Sequence, residues 1–208
     1  MIDSTFRRKL ERGKISGWLA SWIFRAALLS NCALFADFSA PEARAETAPE
    51  YKYQAVYLYN FLQFVEWPPE AFSAATTNSL APFVIGVLGK DPFGSVLEEA
   101  VQKEIVKGRR VVVKRFERLE DMGVCHLLYI SESEKPRLAK IFSKLDKASL
   151  LTVGETDDFT KRGGAIKFFV DKERLRFEIN LAAVKKARLT VSSQMLKLAK
   201  ITDAKGAD

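Results

Sequence analysis

The sequence predicts an α/β fold: a single three-layer domain with a mixed, mostly parallel sheet, helices on both faces and a late antiparallel hairpin. Three observations carry this expectation. Short apolar runs (PFVIGVL, VCHLLYI, SLLTV) alternate with segments of helical periodicity, the order that builds a largely parallel sheet. The runs are apolar almost throughout, as strands covered on both faces are. Two further strand-like segments, 165–170 and 174–180, are separated by a short polar turn at Asp171-Lys172, the pattern of a hairpin.

The elements are taken in chain order. Residues 1–45 read as an export signal to be cleaved, leaving 46–208 as one domain. Arg7, Arg8, Lys9, Arg12 and Lys14 precede an apolar, small-residue run from Ala26 to Ala36, and Ala43-Arg44-Ala45 offers small residues to a signal peptidase. Residues 51–66 place Ala55, Leu58, Leu62 and Val65 on one helical stripe, and Trp67-Pro68-Pro69 ends it. A small-residue loop over 73–81 leads to a strand at 82–88. A turn at Gly89-Lys90-Asp91-Pro92 leads into a helix over 93–102. Strands are expected at 109–116, 124–130 and 149–153. Ser131-Glu132-Ser133-Glu134 matches a capping box opening a helix to about 145. Residues 157–164 form a polar loop closed by Gly163-Gly164. After the hairpin come a short helix over 181–187 and a second one, capped by Ser192-Ser193, running to about Ile201.

Composition bounds the function. With 208 residues, 48% hydrophobic and 28% charged, the chain is neither disordered nor coiled-coil nor collagen-like. Of the net charge of +7, +3 falls within residues 1–45, leaving +4 for the domain. A charge that small and dispersed favours solubility over nucleic-acid binding. No segment after the leader reaches the ~20 apolar residues of a membrane span, so contact with the membrane is expected only through a partner. Cys32 leaves with the leader, and the remaining Cys125 is read as a free thiol buried like a small hydrophobe.

Chemistry is hard to find. His126 is the sole histidine, and Cys125 beside it on a strand points to the opposite face, so the two form no dyad. One histidine and one cysteine make a poor zinc set, and no Gly-x-Ser-x-Gly elbow exists. The expectation is no catalytic residue, no metal and no cofactor. The turn after the first strand lies where open α/β sheets bind ligands, which makes Lys90 and Asp91 the candidate ligand-pocket residues. The basic stretch Lys107, Arg109, Arg110, Lys114, Arg115 and Arg118 reads as a solvated sheet edge. A binding or regulatory module survives these exclusions.

Several segments, taken in order, resemble the YfiR family of periplasmic proteins: AVYLYNFLQFVEWP (55–68), IGVLGKDPFG (85–94), CHLLYISESE (125–134), LLTVG (150–154), Gly163-Gly164 with AIKF (165–168), RFEIN (176–180) and SSQMLKLA (192–199). The resemblance covers residues 51–203. It implies a non-enzymatic periplasmic regulator that binds the periplasmic domain of an inner-membrane diguanylate cyclase and represses it, thereby lowering cyclic di-GMP and biofilm formation. Members associated with histidine kinases make a kinase the other partner, and a ligand-binding sensor reporting to a kinase or transporter is the alternative reading. Some members depend on disulfides; here Cys125 has no second cysteine in the domain, which leaves only an intermolecular bridge. A homodimer would suit a dimeric membrane partner. Alternation over 174–180 turns Leu175, Phe177 and Ile179 to the core and Glu178 to the other face. The expected partner contact is therefore Glu178 with Leu181 and Val184 of the following helix.

Overall fold

The computed structural model describes residues 48–72, 81–146 and 148–202. The expected export signal, residues 1–45, and all but the last residue of the small-residue loop at 73–81 lie outside the described residues. The described elements are α1 (Ala48–Phe64), β1 (Val65–Glu66), β2 (Phe83–Leu88), α2 (Val96–Val101), β3 (Ile105–Val106), β4 (Arg109–Phe116), β5 (Leu127–Ile130), α3 (Leu138–Lys144), β6 (Leu151–Gly154), β7 (Ile166–Asp171), β8 (Arg174–Asn180), α4 (Leu181–Lys186), β9 (Thr190–Val191), α5 (Ser193–Leu198) and β10 (Lys200–Thr202).

Eight strands form one sheet in the order β10-β8-β7-β6-β5-β2-β4-β3. Strands β2, β4, β5, β6 and β7 run parallel, and β7 and β8 form the antiparallel hairpin. The mixed α/β fold is thus the one the alternating pattern predicts. Strand alternation divides the apolar side chains between two layers. Phe83, Ile85 and Val87 of β2, with Leu127 and Tyr129 of β5, join a core that also takes Ala55, Leu58 and Leu62 of α1, Leu97 of α2, Val184 of α4 and Met195 of α5. The opposite face gathers Leu88, Leu128, Ile130 and Phe159 under Leu138 and Ile141 of α3.

Several boundaries differ from expectation. The hairpin turn is Lys172-Glu173 rather than Asp171-Lys172, because Asp171 pairs with Arg174; both turn residues take positive φ, 50° and 60°, the geometry that suits a two-residue hairpin. The helix expected over 93–102 is shorter, Val96–Val101. Ser131 does cap the helical segment after β5, its side chain accepting from the Ser133 N–H. Glu134 does not complete a capping box: the Ser131 N–H donates to the Leu88 carbonyl, and Glu134 turns to Arg137. The segment starts as a 3-10 helix over Glu132–Arg137 containing Pro136, whose missing N–H denies α-helical pairing there. The last helix stops at Leu198, and Ile201 belongs to β10, which pairs with β8 through Lys200↔Glu178 and Thr202↔Asn180.

Candidate functional site

The carboxyl ends of β2 and β5 flank the point where the sheet order reverses, the usual crevice of an open α/β sheet. Here it is filled. The Lys90 N–H donates to Ser133 Oγ at 2.9 Å, and a Cβ on Gly89, at φ +87°, would lie 2.5 Å from that oxygen. Asp91 is spent on the turn: one oxygen accepts from the Phe93 N–H at 2.8 Å and the other pairs with Arg115 at 2.6 Å. Arg115 also pairs with Glu98. Lys90 is exposed and, like Asp91, lines none of the described cavities.

Cys125 and His126 lie on opposite faces. Cys125 is a free, half-buried thiol whose Sγ donates to the Leu127 carbonyl at 3.1 Å. Burial pushes its pKa up to about 12, so it carries little thiolate at neutral pH. His126 is 1% exposed. Its Nδ1 accepts the Val84 N–H at 3.0 Å, and its ring stacks on Phe72 with centroids 4.6 Å apart. Desolvation, reinforced by the Arg109 guanidinium, drives its pKa down to about 4 from the usual 6.5.

This has a pH consequence. The unfolded chain takes up a proton near pH 6.5 that the folded chain refuses until about pH 4. The resulting stabilisation is complete above pH 6.5 and is lost as the pH falls through 4, about 3 kcal/mol in all. Urea unfolding at pH 7 and at pH 4.5 should show this loss in the wild type and a smaller one in His126→Gln. Equal losses in both would rule it out.

Glu178, Leu181 and Val184 are not brought together. Val184 is 3% exposed and belongs to the core under α4, so it offers no surface to a partner. Leu181 is half-buried against the same core. Alternation turns Glu178 to the opposite face of β8, where neither Arg176 nor Arg188 pairs with it. Thr160 donates to it at 2.6 Å, and the ammonium groups of Lys167 and Lys200 stand 3.8 and 3.9 Å away. Lys167, Glu178 and Lys200 are register partners on three neighbouring strands.

Among the described residues that ladder ends at β10, the last strand of the sheet. Beside it, Leu198 is 66% and Ile201 50% exposed, and Val170 of the hairpin 47%. A terminal strand offers an unpaired row of backbone groups, and here large apolar side chains accompany it. Sequence periodicity misses this surface because it continues the last helix through Ile201. The one available signal is Leu198 and Ile201 themselves, which a surface helix would turn inward.

Residues 51–200 match the YfiR/HmsC-like family. The chain belongs to that family. The YfiR/HmsC-like proteins are regulatory rather than catalytic. No curated protein matches the chain. Among solved structures it is similar to the crystal structure of a conserved domain protein from Vibrio cholerae O1 biovar eltor, at 14% identity and a TM-score of 0.44. The match covers 58% of this chain and 54% of that one, so the chain spans about half the length of the Vibrio protein. Among the described residues no helix is long and apolar enough to cross a membrane.

Proposed function

We propose that this YfiR/HmsC-like protein is a periplasmic regulator that binds and represses an inner-membrane diguanylate cyclase. The observation that carries the reading is the family match along residues 51–200, nearly the whole described domain. Repression would work by differential affinity: the regulator favours the inactive arrangement of the cyclase's periplasmic domain and shifts its population. The partner contact is best drawn at the β10 edge, with Leu198 and Ile201 as the apolar contacts and Glu178 holding the strand in place through Lys200. An exposed apolar pair beside charged side chains has the make-up of a protein interface.

The test is genetic and direct. Deletion of the gene should raise intracellular cyclic di-GMP, and the full chain should restore it, whereas a version lacking residues 1–45 should not. No rise in a strain that normally expresses the protein would overturn the reading. Ile201→Asp, at an exposed position, should leave thermal stability unchanged while abolishing both restoration and capture of the cyclase's periplasmic domain. Full restoration by this variant would remove the β10 edge from the interface.

A further inference from the structure

At the end of the sheet opposite the filled crevice lies a cavity of about 360 Å³. That is within the size of small-molecule sites, about 300–1,000 Å³. Its apolar side is Phe142 of α3, Leu145 just after it and Leu150 just before β6. Its charged side is Lys161 and Arg162 of the 157–164 loop, Lys186 of α4 and Asp146. Asp146 pairs with Lys186, and Lys161 pairs with Asp158 at 2.7 Å. Arg162 makes no ion pair among the described residues; its Nη1 donates to the Lys135 carbonyl at 3.1 Å. The cavity therefore carries a guanidinium whose charge no carboxylate answers.

Two buried polar side chains also line it, Thr152, 7% exposed, and Asn180, 2% exposed. Thr152 Oγ1 accepts the Ala165 N–H at 3.0 Å, and its own hydroxyl hydrogen meets no acceptor among the described residues. Asn180 Oδ1 accepts the Ala183 N–H at 3.1 Å, and Nδ2 donates to the Thr160 carbonyl at 2.8 Å. These two bonds fix the amide's orientation and leave its second N–H without a described acceptor. Both side chains thus have donors to spare and no acceptor to spare. Buried donors are normally satisfied, and here they accompany an unanswered positive charge. An inorganic anion would meet the charge but leave Phe142, Leu145 and Leu150 uncovered.

We propose that this cavity binds a small carboxylate with an apolar body. Arg162 neutralises the carboxylate, Thr152 and Asn180 donate to its oxygens, and the apolar side covers the body. Hydrogen bonds to an ionised acceptor are the strong ones. None of these residues belongs to the proposed partner edge, so loss of cyclase control would leave the site intact.

The experiment is calorimetric titration of the purified protein with hexanoate and, separately, with 3-phenylpropanoate. Acetate and inorganic phosphate test the charge without the body, and 3-phenylpropan-1-ol tests the body without the charge. Saturable binding of either carboxylate is expected, at least tenfold tighter than that of all three comparison compounds. Arg162→Glu, which reverses the charge, and Ala182→Phe, which fills the cavity beside Asn180, should each weaken it at least tenfold. Both positions are exposed, so the variants should melt with the wild type; Arg162→Gln replaces Arg162→Glu if that protein does not fold. No saturable binding of either carboxylate up to tens of millimolar would overturn the assignment. So would binding indifferent to either substitution, or binding of the alcohol, acetate or phosphate as tight as that of the carboxylates.

Discussion

Phe159→Ala is expected to cost about 3–5 kcal/mol of folding stability, the usual range for emptying a buried phenylalanine site. Phe159 is 0% exposed although its loop, 157–164, is otherwise polar. Its ring meets Phe142 edge-on at 5.4 Å and fits against two glycines. A Cβ on Gly164 would come within 2.2 Å of the ring and one on Gly154 within 2.5 Å, so Gly164→Ala should also destabilise, by overpacking rather than by a cavity. Urea unfolding followed by far-ultraviolet circular dichroism measures both. A loss below about 1 kcal/mol for Phe159→Ala would mean that the site collapses around the missing ring. The loop also carries Thr160, the donor to Glu178, so its loosening should be felt at the sheet edge.

Glu178→Lys should be comparably damaging, about 3–5 kcal/mol, because it breaks a buried ionic arrangement and leaves like charges together. The carboxylate, 8% exposed, is replaced by a third ammonium between Lys167 and Lys200, and Thr160 loses its acceptor. Glu178→Gln keeps an oxygen for Thr160 and should cost much less. The comparison separates charge from hydrogen bonding, and unfolding midpoints read it. A Glu178→Lys protein as stable as Glu178→Gln would show that the two lysines simply swing away into solvent. Partner capture by Glu178→Gln then reports on the interface free of the folding defect.

What the sequence could announce was whatever depended on local pattern. The stripe of Ala55, Leu58 and Leu62 on α1 is wholly buried, Val65, expected on the same helix, is buried in β1 instead, and the apolar runs 82–88 and 124–130 contain the central strands β2 and β5, because full burial on two faces demands continuous apolar side chains. Two-residue strands such as β1, β3 and β9 are too short to show any period. Strand β10 exists only because β8 offers it a neighbour; three residues following a helix carry no signal of that. Glu178 could be turned to the right side of its strand by alternation, but its partners come from position 160 and position 200, and no spacing rule reaches so far. The hydrogen bond from Gln54 to Glu155 was equally invisible, since about a hundred positions separate its ends.

The packing of α1 bears on how the chain is made. Phe61 of α1 rests on Phe168 and Phe177 at 5.8 and 5.1 Å, and Val65 pairs with Val191. Helix α1 thus finds its cover only when the far end of the domain has arrived, and such long-range closure is slow. Until then an apolar, aromatic segment stands uncovered, a state prone to aggregation without chaperone protection. Truncation shortly before residue 191 should therefore undo the beginning of the fold as much as its end.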